Sequence, residues 1–249
     1  MVVLPMWEGS GNMVYDYSGN GRSGTLTGGS LASRWSAFDG GRCLDFARAD
    51  NEYVSLPAAA SLNGLSAFTI ALTTRYDGST SDSDEHTLFG DWASPNRNVL
   101  LRFDSQTDKV EFFAYTSDSE GGGFDGTNLE DRKLHRIVAT YDGAALAVSM
   151  DGQPSSTSPI AQTGVIGEGS AAVVYVGNSS QKPTVDEYNG PICNVLVADR
   201  AWTPGEIAAD AADPWAIYRP AGRTALWAAA AGAVPSAQTP WHLLIQGAA

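Results

Sequence analysis

Positive charge is what this chain has little of. Its 15 Lys and Arg stand against 28 Asp and Glu, a net charge of −13. Nucleic acid and anionic membranes are therefore poor partners, and the acidity reads as a device for solubility. Long apolar runs are missing as well, so nothing here is built to cross a bilayer. No secretory signal reads at Met1-Val2-Val3-Leu4-Pro5, and the expectation is a protein made without Sec export. Cys43 and Cys193 are the two cysteines. Both fall in strand-like segments that suit one sheet. They are compatible with a bridge, but without an export signal the expected state is two free, buried thiols. No internal repeat is visible. A helical period is almost absent, which points away from helical and α/β classes.

What is present is turn chemistry around short strands. Two Gly-rich clusters bracket Met13-Val14-Tyr15, and the second, Asp16-Tyr17-Ser18-Gly19-Asn20-Gly21, is dense in residues that tolerate tight turns. A strand is expected over 23–27. Two hairpins read clearly: 99–104 with 109–115, and 137–141 with 146–150. One helix is expected near 203–212. Thr203-Pro204-Gly205-Glu206 supplies an N-cap, a proline at the first helical position and a capping-box glutamate, and Pro214 stops it. Segments 79–85 and 117–125 read as polar loops. A chain of 249 residues fits one large β-sandwich.

The order of these motifs resembles the laminin-G-like, concanavalin A-like jelly rolls. Glu8-Gly9-Ser10-Gly11, Asp16, Ser18-Gly19-Asn20-Gly21, Gly24 and Leu26 fill the opening pattern of that family. Cys43-Leu44-Asp45-Phe46, Asp50-Asn51-Glu52-Tyr53-Val54 and Phe68-Thr69-Ile70-Ala71-Leu72 are similar to its next strands. Leu134-His135-Arg136-Ile137-Val138-Ala139 resembles its W-H-H-V-A hairpin, with Leu134 in place of the Trp and Arg136 in place of the second His. Arg200-Ala201-Trp202-Thr203 resembles the closing R-A-L-T. The resemblance spans residues 5–217. It implies an all-β, two-sheet antiparallel jelly-roll sandwich with one short C-terminal helix; an extended apolar C-terminal arm over 218–249 is expected beyond it from the composition of the tail. It implies no particular function, because this fold hosts lectins, enzymes and adhesive modules alike.

Catalysis is not expected. His135 reads as a packed strand residue, His86 lies in an acidic loop and His242 in the tail; no Ser, His and Asp constellation stands out. Glycosidases on this sandwich place carboxylates on alternate residues of one strand. Asp50-Asn51-Glu52 has the spacing but no third acid, and Asp186-Glu187 are adjacent. The same Asp50-Asn51-Glu52 resembles the D-N-E segment of pentraxins, where the Asp and Asn bind calcium. That ion wants six to eight oxygens. The matching second segment here, Gly177-Asn178-Ser179-Ser180-Gln181-Lys182, has no acid. An Asx-type turn without metal is the expectation, with no cofactor.

The tail differs from the rest. Asp213-Pro214-Trp215-Ala216-Ile217-Tyr218-Arg219-Pro220 resembles an ending found after such domains in tailed-phage proteins. No charged residue follows Arg223. Large apolar residues in an uncharged tail are unlike a solvated disordered segment. The expectation is a virion structural protein, a decoration or tail accessory subunit. Trp227, Trp241, Leu243, Leu244 and Ile245 would anchor it to other virion proteins or symmetry mates. The alternative is a carbohydrate-binding module for host glycans, with Trp92, Tyr115, Phe124 or Tyr188 stacking on sugar rings.

Overall fold

A computed structural model of the chain describes residues 1–29, 34–38, 41–78, 85–93, 96–117, 120–125, 129–157, 159–167, 171–178 and 186–218. The strands are β1 (Val2–Leu4), β2 (Met13–Val14), β3 (Gly24–Thr27), β4 (Trp35–Phe38), β5 (Gly41–Phe46), β6 (Tyr53–Leu56), β7 (Phe68–Thr74), β8 (Glu85–Ala93) and β9 (Asn96–Asp104). They continue as β10 (Lys109–Tyr115), β11 (Glu120–Asp125), β12 (His135–Tyr141), β13 (Ala145–Met150), β14 (Gln153–Pro154), β15 (Ile160–Ala161), β16 (Val174–Val176) and β17 (Gly190–Ala198). Among the described residues one α-helix, α1, runs Pro204–Ala212.

The expected jelly-roll sandwich is what the chain forms. A nine-stranded sheet runs β14-β13-β12-β7-β17-β5-β4, with β1 added to β17 and β15 to β13. An eight-stranded sheet runs β11-β10-β9-β8-β16-β6-β3-β2. Every strand pairing is antiparallel. Period-two patterning decides which side chains point inward. In β6, Val54 and Leu56 are buried while Tyr53 and Ser55 are half-buried. Between the sheets, Phe68 of β7 meets Phe112 of β10 edge-on, with ring centroids 5.9 Å apart. Each large apolar side chain buried this way contributes roughly 1.5–3 kcal/mol.

Strand β17 is buried at every position. Its inner side chains enter the core, and its outer face is roofed. The Arg136 guanidinium, 3% exposed, lies on that face. It donates to Asp210 of α1 at 2.6 and 3.0 Å and to the Asn194 carbonyl at 2.9 Å. The register of β17 against β7 slips between Cys193 and Leu196. Asn194 takes the extra position with φ 52°, a conformation Asn tolerates better than most residues. Its amide then donates to the Pro214 carbonyl at 2.6 Å, fixing the exit of α1. The helix start is the expected capping box: Thr203 Oγ1 accepts from Glu206 N, and Glu206 Oε2 accepts from Thr203 N.

The opening motif is a latch rather than a set of turns alone. Asp16 accepts from Val3 N at 3.0 Å, from Ser18 N, Ser18 Oγ and Arg22 N at 2.9 Å each. Ser18, Asn20 and Arg22 side chains all donate to the Met1 carbonyl. Burial works against the Asp16 charge, but these hydrogen bonds outweigh it and hold the carboxyl below its ordinary range. The acid thereby clamps β1 to the β2–β3 connection.

Two expectations are corrected. Segment 117–125 is not all loop, because Glu120–Asp125 forms β11. Gly121, Gly122 and Gly123 pair with Ala114, Phe113 and Phe112; glycines carry no hydrophobic pattern, so the strand is silent in sequence. The cysteines are not free. Cys43 and Cys193 form a disulfide. The β5–β17 register of Leu44↔Ile192 places them directly opposite one another, with Cα atoms 4.4 Å apart. That spacing belongs to a non-hydrogen-bonded antiparallel pair, where side chains approach most closely.

By contacts the chain divides into two units between Pro214 and Trp215. Of the second, the described part is Trp215–Tyr218, a single turn closed by Tyr218 N donating to the Trp215 carbonyl. Trp227, Trp241, Leu243, Leu244 and Ile245 lie outside the described residues, as does nearly all of the expected arm. No helix among the described residues is long and apolar enough to cross a membrane.

The disulfide joins residues 150 apart in sequence. Closing so long a loop should stabilise the fold by about 5 kcal/mol through the unfolded chain. The double variant Cys43→Ala/Cys193→Ala is expected to lose a large part of that in urea unfolding. A loss under about 1 kcal/mol would mean that the bridge does not contribute as argued.

Candidate functional site

His86 and His135 have structural partners. His86 is buried beneath Tyr76 and Phe103. Its Nδ1 lies 2.8 Å from the Glu187 carbonyl, which can only accept, so Nδ1 carries the hydrogen and Nε2 accepts from Tyr76 Oη at 3.0 Å. His135 sits between two carboxylates, with Nδ1 2.7 Å from Asp151 Oδ2 and Nε2 3.0 Å from Asp131 Oδ1. Both ring nitrogens donate, which is the imidazolium arrangement. His242 lies outside the described residues.

A cleft of about 600 Å³ opens where β5 hands over to β6, lined by Ala47, Arg48, Ala49, Asn51, Glu187 and Asn189. That volume falls within the usual range for small-ligand sites, roughly 300–1,000 Å³. One wall is the turn after β5. Arg48–Asp50 form a short 3-10 turn, and Asn51 closes it at φ 50° with its N–H on the Arg48 carbonyl. The other wall is the approach to β17, where Asp77 N holds the Asn189 carbonyl at 2.9 Å. The end of β16 joins the walls. Asn178 Nδ2 donates to Asn51 Oδ1 at 3.0 Å, and Tyr188 N donates to the Gly177 carbonyl at 2.9 Å. Gly177 is required here. Its φ is +84°, and a Cβ would sit 2.8 Å from the Phe46 ring.

The acids beside this cleft are already paired. The Arg34 guanidinium bridges Asp50 and Glu52, with Nη2 on Asp50 Oδ2 and Nε 2.5 Å from Glu52 Oε1. The second Glu52 oxygen accepts from Ala47 N at 2.8 Å. Burial raises the Glu52 carboxyl, while the Ala47 amide and Arg34 counteract it. Calcium at Asp50 and Asn51 does not fit this arrangement. The Asp50 carboxylate faces a guanidinium, and Asn51 Oδ1 accepts from Asn178. No group of three or more His, Cys, Asp or Glu among the described residues is placed to hold a metal ion. The Asx-type turn expected at Asp50-Asn51 is here a left-handed turn at Asn51 with Asp50 held by Arg34.

The aromatic candidates are placed differently from expectation. Tyr188 is wholly buried, its hydroxyl on Thr74 Oγ1 at 2.7 Å. Trp92 is 8% exposed and packs edge-on against Tyr115 at 4.8 Å, with the Arg97 guanidinium over both rings. Nothing is described of the Phe124 side chain. Among the described residues the open rings are ones that sequence reasoning passed over: Trp7, Tyr15 and Tyr17, at 37%, 52% and 53% exposure. Trp7 and Tyr17 stand edge-to-face at 5.3 Å on the segment that Asp16 clamps.

Two antiparallel sheets packed face to face define a concanavalin A-like β-sandwich. The chain belongs to the Concanavalin A-like lectin/glucanases superfamily, whose model matches residues 48–208. Among curated proteins, none matches the chain. Solved structures share its fold at low identity. Domain 4 of AbnA, a GH43 extracellular arabinanase from Geobacillus stearothermophilus, in complex with arabinotriose, is 16% identical with a TM-score of 0.62, over 84% of this chain and 97% of that one. Botulinum neurotoxin type C, described as depending for cell entry on two ganglioside molecules, is 12% identical with a TM-score of 0.63, over 85% of this chain. The botulinum neurotoxin serotype G binding domain is 13% identical with a TM-score of 0.65, over 86% of this chain. This chain spans about half the length of the two neurotoxin chains, 50% and 51%.

The His135 bridge makes stability depend on pH. Burial opposes its charge, but the hydrogen bonds to Asp131 and Asp151 prevail and raise its pKa. A group raised above its unfolded value of about 6.5 stabilises fully below that pH, and loses the contribution as pH rises through the folded value. His135→Gln should therefore lower the melting temperature at pH 5.5 and much less at pH 9. Equal losses at both would show that the protonated bridge does not stabilise the hairpin.

Proposed function

We propose that this sandwich is a carbohydrate-binding module and that the cleft between Asn51 and Asn189 takes the glycan. The observation that carries the reading is the chemistry of the cleft wall. Arg48, Asn51 and Asn189 line one depression with guanidinium and amide side chains, while Glu187, which also borders it, is buried. Such planar donors and acceptors match the paired hydroxyls of a sugar, and a rigid backbone beneath them lowers the entropy lost on binding. The likeness to an arabinanase domain seen with arabinotriose, and to a neurotoxin described with gangliosides, supports the same class of ligand. The role is binding without catalysis: Asp50 and Glu52 are engaged by Arg34 instead of facing one another across a substrate.

A glycan array with the intact chain tests this. We expect a defined set of oligosaccharides to bind, and Asn189→Ala and Arg48→Ala each to weaken them about 3–30-fold, the worth of one hydrogen bond. Binding unchanged in both variants would move the site elsewhere, with Trp7 and Tyr17 the first alternative. No binding to any glycan would end the reading.

The setting we propose is the surface of a tailed-phage virion, with the 218–249 arm as anchor to neighbouring virion proteins or to symmetry mates. The Asp213-Pro214-Trp215-Ala216 segment and the uncharged stretch after Arg223 support it. Uncharged apolar residues dock without the desolvation cost of Lys or Glu. Removing residues 224–249 should leave a folded sandwich that no longer joins particles. Incorporation at normal copy number would overturn the anchor.

A further inference from the structure

We infer that Trp7 and Tyr17, with Tyr15 beside them in the same segment, form a second oligosaccharide subsite, separate from the cleft. The inference rests on the carbohydrate-binding reading above and adds a site to it. Among the described side chains, the exposed aromatic ones all fall between positions 7 and 17. A large ring left in water forfeits the burial that stabilises a fold, so three in one short stretch call for something to cover them.

The backbone holds these rings out. Met6 is wholly buried and takes φ 55°, a conformation that a long side chain rarely adopts. That kink sends Met6 into the core and the next residue, Trp7, outward. Tyr15 N donates to Glu8 Oε1 at 2.8 Å, and Tyr17 N donates to the Val3 carbonyl at 2.8 Å. Both tyrosines are thus pinned at their amides, on either side of the Asp16 clamp. Rings on a fixed backbone lose little freedom when a ligand arrives.

The surface chemistry favours a sugar over a protein partner. The core of a protein interface is apolar and close-packed, and here Leu4, Met6 and Val14 are all turned inward and buried. What the segment shows to solvent is ring and charge. Trp7 and Tyr17 stand at 84° to one another, so one offers a face where the other offers an edge. Gly9, at φ +77°, has no side chain, and the exposed Arg42 guanidinium lies where a Cβ on it would be. Glu8 uses Oε1 on Tyr15 N, while its Oε2 is buried and meets no donor among the described residues. Aromatic rings with a few placed polar groups are the make-up of a small-ligand site. A sugar ring has the matching character, with a C–H face to lie on an aromatic ring and a hydroxyl rim to meet charged groups. Strand β5 keeps the two subsites apart. Arg42 near its start borders Gly9, and Ala47 just past its end lines the cleft. Residues 42 and 47 stand roughly 17 Å apart along an extended chain, so each subsite can be altered without the other.

The experiment is an array of neutral and acidic oligosaccharides probed with the full chain in three forms: wild type, Trp7→Ala/Tyr17→Ala and Arg48→Ala/Asn189→Ala. We expect the aromatic variant to weaken, by about 10-fold or more, a set of signals that the cleft variant keeps. Should the double aromatic variant fail to fold, Tyr15→Ser and Tyr17→Ser carry the same test, because each removes an exposed ring and leaves the backbone hydrogen bonds in place. Every signal surviving at wild-type strength in the aromatic variants overturns the second subsite and leaves the cleft to stand on its own variants. Signals lost in the aromatic variants and kept throughout in the cleft variant support the aromatic subsite and remove the cleft. A wild type that binds no oligosaccharide overturns both.

Discussion

The fold depends on strand β17 being dry on both faces. A strand buried on one face can be assembled from alternation alone, but one buried on both needs a roof for its outer side. Here the roof is polar: Arg136 reaches across from β12 to Asp210 of α1 and to the Asn194 carbonyl. A guanidinium that far from water is tolerable because its hydrogens meet a carboxylate in bidentate fashion and a carbonyl. The bulge at Asn194 follows from the same demand. It presents the carbonyl to Arg136 and the amide to Pro214, so strand, helix and chain exit are fixed by one residue in a left-handed conformation. β5, β7 and β1 then all pair with β17, which carries the first strand of the chain and the middle of both halves.

What could be read in the sequence was local. The 99–104/109–115 and 137–141/146–150 hairpins showed themselves because large residues alternate around short polar turns. The helix showed itself because a capping box is a four-residue signal. β11 was hidden because three consecutive glycines carry no pattern at all. The bulge at Asn194 was hidden because an asparagine in a strand looks the same whether it is extended or left-handed. The disulfide was misjudged for a different reason: compartment was inferred from the start of the chain, while register, which sets the two Cα atoms 4.4 Å apart, cannot be read locally.

The site was legible by half. Asp50, Asn51 and Asn178 were recognised as neighbours of interest, and they do meet. Arg34 was not, because nothing about an arginine in a loop announces a partner 18 residues on. Exposure was the other blind spot. Tyr188 sits in a Gly- and Asn-rich segment that reads as surface, yet its ring fills the core. Trp7, Tyr15 and Tyr17 sit inside the motif that most clearly marks the fold, so their openness to solvent went unnoticed. In both cases the sequence reports what a backbone prefers, and burial is decided by what packs across from it.

The Cys43–Cys193 bridge also changes the covalent topology of the molecule. Residues 44–192 form a closed ring, with the two terminal segments attached at a single knot of adjacent strands. A protease that cuts once in any loop of that ring opens it but leaves one covalent molecule, its two pieces still joined through the sulfurs. Such a nick shows only when the sulfurs are reduced. The loops inside that ring are therefore the parts that can be severed at least cost.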